Sequence, residues 1–359
     1  MIRKVMVSGY KAIPYDKPVI LELGEKLTLL VGPNAAGKSA VLEALYYVLN
    51  GKSFPVEYSY KKLGRYVILS VVFQQKDELK TLLYLYTVTS GSTYTLEEVV
   101  EIRGDVLEKI SSITKKISYA NTDEVMNSIY QISSDVVHTG IELIDIQRPL
   151  YFEGDLIKRE KVLSLLFKQY GLISEGIKRV DEWVKLLGYT RFRTLINERG
   201  DFVYEFYDGR SGEWIRIDEC AGGLRSTVGL IYSLSCPIEM MLIDDVEVGL
   251  HPSLQIRLLE ELLKWHGQVI VSSHSETVFY YLLYRKKELG DKIKINLMYR
   301  DEEAVYAEEI GREIPIKLSK KAEKALKEFG AYGLFGESGF YSLKALLEGN
   351  ENEKDSSNR

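Results

Sequence analysis

Residues 26–40 read KLTLLVGPNAAGKSA, and this stretch decides the fold. Lys26 to Val31 is almost entirely apolar, which predicts a buried strand, and apolar residues recur at helical spacing from Val41 to Leu49. Between them, Gly32 to Ser39 (the phosphate loop) fits the pattern G-x-x-x-x-G-K-[ST]. A glycine loop between a buried strand and a helix is typical of α/β proteins that hold phosphate groups on backbone N–H groups.

Each residue type in the phosphate loop suits this chemistry. Gly32 and Gly37 permit the unusual φ angles that turn consecutive N–H groups inward, and the helix N-terminus adds a positive dipole. Lys38 can neutralise the β- and γ-phosphates of a nucleotide, and the Ser39 hydroxyl can bind Mg²⁺. The alternative is a chance glycine-rich turn at the edge of a sheet. The predicted nucleotide-binding residues are Gly32, Pro33, Asn34, Ala35, Ala36, Gly37, Lys38, Ser39 and Ala40.

Composition places the chain among ordinary globular proteins. It has 359 residues, of which 45% are hydrophobic and 28% charged, and a formal net charge of -5. This excludes general disorder and argues against attraction of nucleic acid to the whole surface, so DNA binding would need a local basic patch. Cys220 and Cys236 are too few for a disulfide framework, and no apolar leader opens the sequence. We therefore expect a cytoplasmic protein that does not enter a membrane.

The order of predicted elements divides the chain into four parts. Residues 1–90 are expected to form the first half of an α/β head, with a flanking antiparallel β-subdomain. Residues 91–200 show helical periodicity and are predicted to be an inserted helical lobe. Residues 201–348 alternate helix and strand, which predicts the second half of a mostly parallel sheet. Residues 349–359 are polar and are predicted to be a disordered tail. The predicted fold class is thus an α/β P-loop NTPase.

A second motif follows the apolar run Met240 to Ile243. Asp244 comes directly after this run, the arrangement in which a buried strand brings a carboxylate to the Mg²⁺ beside a phosphate loop. Asp245 and Glu247 add acidic groups at the same edge, and Asp244–Glu247 is called the acidic segment below. The alternative is that these carboxylates only cap a helix or lie in a solvated loop. His274 ends another apolar strand, where a hydrogen-bonded core histidine is the alternative to a functional one.

Four segments, in the same order, resemble the ATP-binding cassette (ABC) ATPases of the SMC, RecF and OLD-type group. They are residues 1–49 with the phosphate loop, Ala221-Gly222-Gly223-Leu224-Arg225-Ser226 (the signature segment), Leu242 to Pro252 with the acidic segment, and Val269 to Ser275. The resemblance implies an ABC ATPase head that binds ATP with Mg²⁺. It leaves the middle of the chain unmatched.

The resemblance also implies roles for individual residues. Two copies would form an ATP-dependent homodimer, each ATP lying on one phosphate loop and against Gly222 and Gly223 of the other subunit. Ser39 and Asp244 would bind the metal, Asp245 would position the attacking water, and His274 would contact the γ-phosphate. The predicted catalytic residues are Lys38, Asp245, Glu247 and His274.

Two departures from the family pattern predict slow hydrolysis. Asp245 stands where the family has a Glu, and it is one methylene shorter, while Ala221 stands where the family has a signature Ser. These departures leave open a second function, an ATP-binding regulatory or scaffold protein with little turnover. A third, the nucleotide-binding subunit of a membrane transporter, fits less well because the inserted lobe and Leu250-His251-Pro252 are unlike transporter subunits.

The target of such an ATPase would, by resemblance, be DNA in repair or genome maintenance, or an antiviral defence complex with an unidentified partner protein. Basic residues near aromatic ones are candidates for nucleic-acid binding. Acidic residues between almost all of them favour an ordinary solvated face instead. Gln74 and Gln75 fall in a predicted hairpin turn, so no glutamine could be assigned to the metal. The basic candidates are Lys115, Lys116, Lys158, Arg159, Lys178, Arg179, Arg191 and Arg193.

Overall fold

The computed structural model describes residues 1–58, 66–88, 93–114, 124, 127–128, 136–138, 149–311 and 318–323. The predicted tail at 349–359 and much of the predicted helical run between 115 and 132 lie outside these residues. The described strands are β1 (Ile2–Ser8), β2 (Val19–Glu22), β3 (Leu27–Val31), β4 (Phe54–Pro55), β5 (Tyr66–Gln75), β6 (Glu78–Val88), β7 (Thr93–Arg103), β8 (Val136–His138), β9 (Leu150–Phe152), β10 (Tyr189–Ile196), β11 (Phe202–Asp208), β12 (Glu213–Arg216), β13 (Met240–Ile243), β14 (Gln268–Ser273), β15 (Ile293–Arg300) and β16 (Val305–Glu309). The described helices are α1 (Lys38–Leu49), α2 (Leu107–Thr114), α3 (Leu156–Tyr170), α4 (Ser174–Leu186), α5 (Gly222–Ser233), α6 (Pro252–Lys264) and α7 (Glu276–Leu289).

The central sheet has the strand order β16-β15-β3-β14-β13-β9, and all neighbours are parallel except β15 and β16. Its register pairs Val31 with Ser273 and Ile243 with both Val271 and Phe152. Three strands therefore end at the same edge of the sheet, with their carboxyl ends side by side: β3 before the phosphate loop, β13 before the acidic segment and β14 before His274. This edge is where open α/β sheets bind ligands.

Both faces of the central sheet are buried. Leu29 and Met241 face a core shared with α3 to α7, whereas Leu30 and Leu242 face a core shared with α1 and the flanking β-subdomain. Burial on both faces explains why these strands read as continuous apolar runs rather than alternating ones. Among the described helices, none combines the length and apolar character that a bilayer crossing requires.

The flanking β-subdomain is antiparallel, with the order β2-β1-β5-β6-β7-β4 and β8 paired to β7. The predicted hairpin of β5 and β6 is confirmed, but its turn is shorter than expected. Gln75 pairs with Glu78, so only Lys76 and Asp77 connect the strands, and Lys76 takes a φ of 53°. Helix α2 covers one face of this sheet through Leu107 and Ile110.

The region predicted as a helical lobe contains strands as well as helices. Helices α3 and α4 lie within the predicted run, but β7 extends the flanking sheet, β9 joins the central sheet, and β10 starts a three-stranded antiparallel sheet with β11 and β12. The prediction of helix for these strands was wrong because short half-buried segments satisfy either periodicity. These segments form strands because β7 pairs with β6, β9 with β13 and β10 with β11, which satisfies the hydrogen-bonding groups of their backbones.

Candidate functional site

The phosphate loop connects β3 to α1 by a backbone that depends on glycine. A Cβ atom on Gly32 would lie 1.9 Å from the carbonyl oxygen of Met298, so no other residue fits there. Gly37 has a φ of 91° and Ala35 a φ of 61°, both in the left-handed region. Ser39 lies exposed in the first turn of α1. Backbone N–H groups at such a loop and helix start suit the phosphates of a nucleotide.

Lys38 is a buried cation of the phosphate loop. Its side chain is 4% exposed, and Nζ donates hydrogen bonds of 3.0 Å to the carbonyl oxygens of Gly32 and Pro33. Burial lowers the pKa of Lys38 to about 8, while the charges of Asp245, Asp244 and Glu247 act in the opposite direction. The carboxylates of the acidic segment therefore lie close enough to act on the charge of Lys38. The sequence predicted that these two motifs would lie together.

Ser272, at the end of β14, holds the start of the acidic segment in place. Its hydroxyl donates to Oδ1 of Asp244 and accepts a hydrogen bond of 2.8 Å from the backbone N–H of Asp245. Asp244 also donates its own N–H to the carbonyl oxygen of Phe152 at 2.8 Å. A carboxylate and the hydroxyl of Ser39 are oxygen ligands of the kind that Mg²⁺ takes together with phosphate oxygens. The residues present thus fit the metal.

Asp245 takes an unusual backbone conformation, with a φ of 49°. A Cβ on Gly154 would lie 2.8 Å from Oδ2 of Asp245, so the carboxylate packs directly over this glycine. Its Oδ1 lies 3.9 Å from Nε2 of His274. Asp is among the few residues that adopt positive φ readily, and this conformation turns the carboxylate toward the His274 side of the edge.

Glu247 and His274 link the acidic segment to the end of β14. Oε1 of Glu247 accepts a hydrogen bond of 2.6 Å from the backbone N–H of His274, and Oε2 accepts one of 2.8 Å from the hydroxyl of Ser273. Burial raises the pKa of Glu247 above its usual value. Burial, and then the charge of Lys38, lower the pKa of His274 to about 4. His274 is therefore neutral at pH 7 and can donate or accept a hydrogen bond.

Arg159 on α3 is part of this site, although the sequence placed it among candidates for nucleic-acid binding. Both interpretations offered for it, nucleic-acid binding and the favoured solvated face, were wrong, because Arg159 is only 1% exposed. Its Nη2 donates to the carbonyl oxygens of Asp244 and Asp245, the latter at 2.7 Å, and Nε donates to Glu153 at 2.6 Å. No pattern of spacing in the sequence marks this contact, since it joins a helix of the inserted region to the end of β13.

The signature segment lies against the chain that follows the acidic segment. Gly222 and Gly223 begin α5, with Ala221 as an N-cap that makes no side-chain hydrogen bond. A Cβ on Gly223 would lie 2.8 Å from the carbonyl oxygen of Gly249. His251 shapes this part of the chain, because its Nδ1 accepts the N–H of Ser253 and caps α6.

Other residues named from the sequence lie away from the site or outside the described residues. Gln74 accepts a hydrogen bond of 2.8 Å from Nε of Arg3 in the flanking sheet. Arg179 pairs with Glu261 at 3.4 Å, and Arg193 bonds Glu205 at 2.7 Å, so these two cations are partly neutralised. Lys115 and Lys116 are not among the described residues.

The family model described as "AAA domain, putative AbiEii toxin, Type IV TA system" matches residues 27–279. The chain belongs to this AAA family. The match spans the phosphate loop, the signature segment, the acidic segment and His274, so every motif of the candidate site lies in the part that defines the AAA domain. A search of curated proteins finds no match to this chain.

Two solved Smc head domains share the fold of this AAA ATPase. An Smc head bound to the C-terminal winged-helix domain of ScpA is 15% identical, with a TM-score of 0.50, and the match covers 86% of this chain and 98% of that one. An Smc head with an extended coiled coil, bound to the C-terminal domain of ScpA from Pyrococcus furiosus, is 14% identical at 0.50, covering 91% and 99%. The SMC head domain from Thermotoga maritima is 16% identical at 0.47, covering 86% and 99%. The predicted fold, an α/β P-loop ATPase head, is confirmed by the family model and by the two ScpA-bound structures.

Proposed function

We propose that this AAA ATPase binds ATP with Mg²⁺ on residues 32–40 and hydrolyses the ATP slowly. The observation that carries the proposal is the meeting of Lys38 with Asp244, Asp245 and His274 at one sheet edge. A lysine, a metal-binding carboxylate and a residue that orients water recur in sites of phosphoryl transfer, and a neutral imidazole can add a hydrogen bond to the phosphate.

Each residue has a separate task in this proposal. Bound Mg²⁺, held by Ser39 and Asp244, would neutralise phosphate charge during the reaction. Lys38 would exchange its hydrogen bonds to the loop carbonyls for contacts to the β- and γ-phosphates. Asp245 would orient the attacking water, and Glu247 would keep His274 at hydrogen-bonding distance from the γ-phosphate. To accept a proton, the Asp245 carboxylate must lie within hydrogen-bond reach of the attacking water.

We further propose that ATP joins two copies of the chain. The N–H groups at Gly222 and Gly223 open a helix and would bind phosphate of the partner's nucleotide. Loss of the γ-phosphate would remove this bridge, so dimerisation becomes a nucleotide-driven switch. The SMC heads with this fold bind ScpA, which supports a protein partner here. DNA repair, genome maintenance and antiviral defence are the proposed settings, and the toxin–antitoxin system in the family description is nearest to the last.

One experiment tests these proposals together. Phosphate release and molecular mass are measured with MgATP, alone and with single- or double-stranded DNA, for the wild type and Lys38→Ala. We expect slow release and an ATP-dependent dimer in the wild type, and neither in Lys38→Ala. A stable dimer without phosphate release over hours would select the regulatory or scaffold function, which the Asp245 and Ala221 departures favour. If DNA changes neither the rate of phosphate release nor the molecular mass, the proposals of DNA repair and genome maintenance are contradicted.

A further inference from the structure

We propose that Arg159 is a positioning residue that couples the acidic segment to the signature helix α5. This inference rests on the proposed function, since it concerns how ATP at the phosphate loop affects the helix that would contact the partner subunit. Arg159 belongs to α3, within the region that the sequence resemblance left unmatched.

The side chain of Arg159 forms one end of the coupling. Its guanidinium bonds the carbonyl oxygens of both Asp244 and Asp245, the metal-binding and water-positioning residues of the proposed reaction. It also donates a hydrogen bond to the carbonyl oxygen of Glu153. The next residue, Gly154, is the one against which the Asp245 carboxylate packs. Three backbone carbonyls around the site are therefore held by a single planar group.

The backbone of Arg159 forms the other end. Helices α3 and α5 pack closely together. A Cβ on Gly229 of α5 would lie 3.4 Å from the carbonyl oxygen of Arg159 and 3.3 Å from the backbone nitrogen of Leu163. A side chain at position 229 would therefore press on both backbone groups and push the two helices apart by a few tenths of an ångström. A shift of α3 along its axis would therefore displace α5 as well.

Electrostatics explains why an arginine occupies this buried position. The charges of Asp245, Asp244 and Glu247 all favour the protonated guanidinium, although burial lowers the pKa of Arg159 to about 10. Nη1 has no hydrogen-bond partner among the described residues, so the guanidinium has one donor that could form a further hydrogen bond. Lys in the same place would keep the charge and lose the fork that holds several carbonyls at once.

The coupling has a direct mechanical consequence. Asp245 sits in a left-handed conformation, and its carbonyl is held by Arg159. When the carboxylates of the acidic segment move toward or away from bound nucleotide, Arg159 must follow, and α3 carries this displacement to Gly229. The start of α5 then changes position relative to the partner's nucleotide.

The test compares the wild type with three variants of the full chain. Arg159→Lys removes the fork, Gly229→Ala pushes α3 away from α5 without removing any hydrogen-bond donor, and Lys168→Met removes an exposed cation near the end of the same helix as the control. Steady-state hydrolysis gives kcat and KM. Hydrogen exchange with and without MgATP, at a concentration where the protein is monomeric, follows the amides of the phosphate loop and of α5.

We expect Arg159→Lys to lower kcat at least about tenfold and Gly229→Ala about threefold, with KM for ATP within about threefold of the wild type. MgATP should slow exchange in the phosphate loop of all four proteins, and in α5 of the wild type and Lys168→Met only. A wild type whose phosphate loop does not respond to MgATP would overturn the proposed function itself. A responding loop, together with wild-type kcat and α5 exchange in Arg159→Lys and Gly229→Ala, would overturn the coupling alone.

Discussion

Oε1 of Glu247 accepts a hydrogen bond of 2.6 Å from the backbone N–H of His274. This bond joins two segments that follow neighbouring parallel strands, β13 and β14. Glu247 and His274 cannot move independently while it holds. The carboxylate that follows one strand therefore sets the position of the imidazole that follows the other, and the predictions below concern the residues around this link.

Replacing Lys38 by Met should stabilise the protein in the absence of nucleotide while removing ATP binding. Burial lowers the pKa of Lys38 from 10.5 to about 8, so the folded state disfavours the charge that the unfolded state accepts freely. The expected gain is about 1–2 kcal/mol, after subtraction of the lost hydrogen bonds to Gly32 and Pro33. It should be complete below pH 8 and shrink as the pH rises toward 10.5. Urea unfolding across this range measures it, and equal stability of the two proteins at pH 7 would contradict it.

His274 should titrate far below an ordinary histidine. Its imidazole midpoint by NMR is expected near pH 4, and Lys38→Met should raise it because the Lys38 charge contributes to the shift. The folded state favours the neutral imidazole, whereas the unfolded state accepts a proton near pH 6.5. The free energy of unfolding should therefore fall by about 1 kcal/mol as the pH drops from 6.5 toward 4, allowing for partial solvent access. His274→Asn should reduce this loss. A midpoint near 6.5 would show that the imidazole is solvated.

Asp245→Asn should lower kcat about 100-fold or more while ATP still binds, because an amide cannot accept a proton from water. Asn tolerates the positive φ at this position, so the backbone should remain as it is. Single-turnover phosphate release and equilibrium binding of a fluorescent ATP analogue separate the two effects. Wild-type release rates in Asp245→Asn would remove Asp245 from the reaction.

Ser272→Ala should lower the stability of the protein and weaken the binding of Mg²⁺ at the site. The change removes the donor to Asp244 and the acceptor of the Asp245 N–H, which costs about 1–3 kcal/mol when the groups are buried. The Mg²⁺ concentration needed for half-maximal hydrolysis should rise several-fold. Ser273→Ala is the matched control, since its hydroxyl bonds Glu247 instead. A Mg²⁺ requirement that rises equally in both variants would contradict a specific role for Ser272.

Ala221→Ser should stabilise the protein by about 0.5–1 kcal/mol and strengthen the ATP-dependent dimer. Ala221 has the non-helical backbone of an N-cap, with φ -56° and ψ 144°, but no oxygen to accept an N–H of α5. Thermal unfolding measures the cap, and analytical ultracentrifugation with MgATP measures the dimer. Ala221→Val, which adds bulk without an oxygen, is the control. A gain shared by both variants would assign the effect to packing.

Much of the architecture could be predicted from local sequence patterns. The apolar runs before Gly32, Asp244 and His274 each predict a buried strand without reference to the rest of the chain. Parallel strands place their carboxyl ends at one edge of the sheet. The convergence of Lys38 with the acidic segment follows from that rule. The strands β7 and β10 did not follow, because their half-buried residues satisfy more than one periodicity until a neighbouring strand pairs with them.

The amino-acid sequence by itself determined the phosphate loop, the order of the motifs and the edge at which they meet, since each motif follows its own local apolar run and parallel strands place their carboxyl ends together. Only the tertiary structure decided that Arg159 holds the carbonyls of Asp244 and Asp245, and that Ser272 and Glu247 join two strand ends. Such contacts link residues far apart in sequence. Their geometry depends on strand register and helix packing, which no local periodicity encodes.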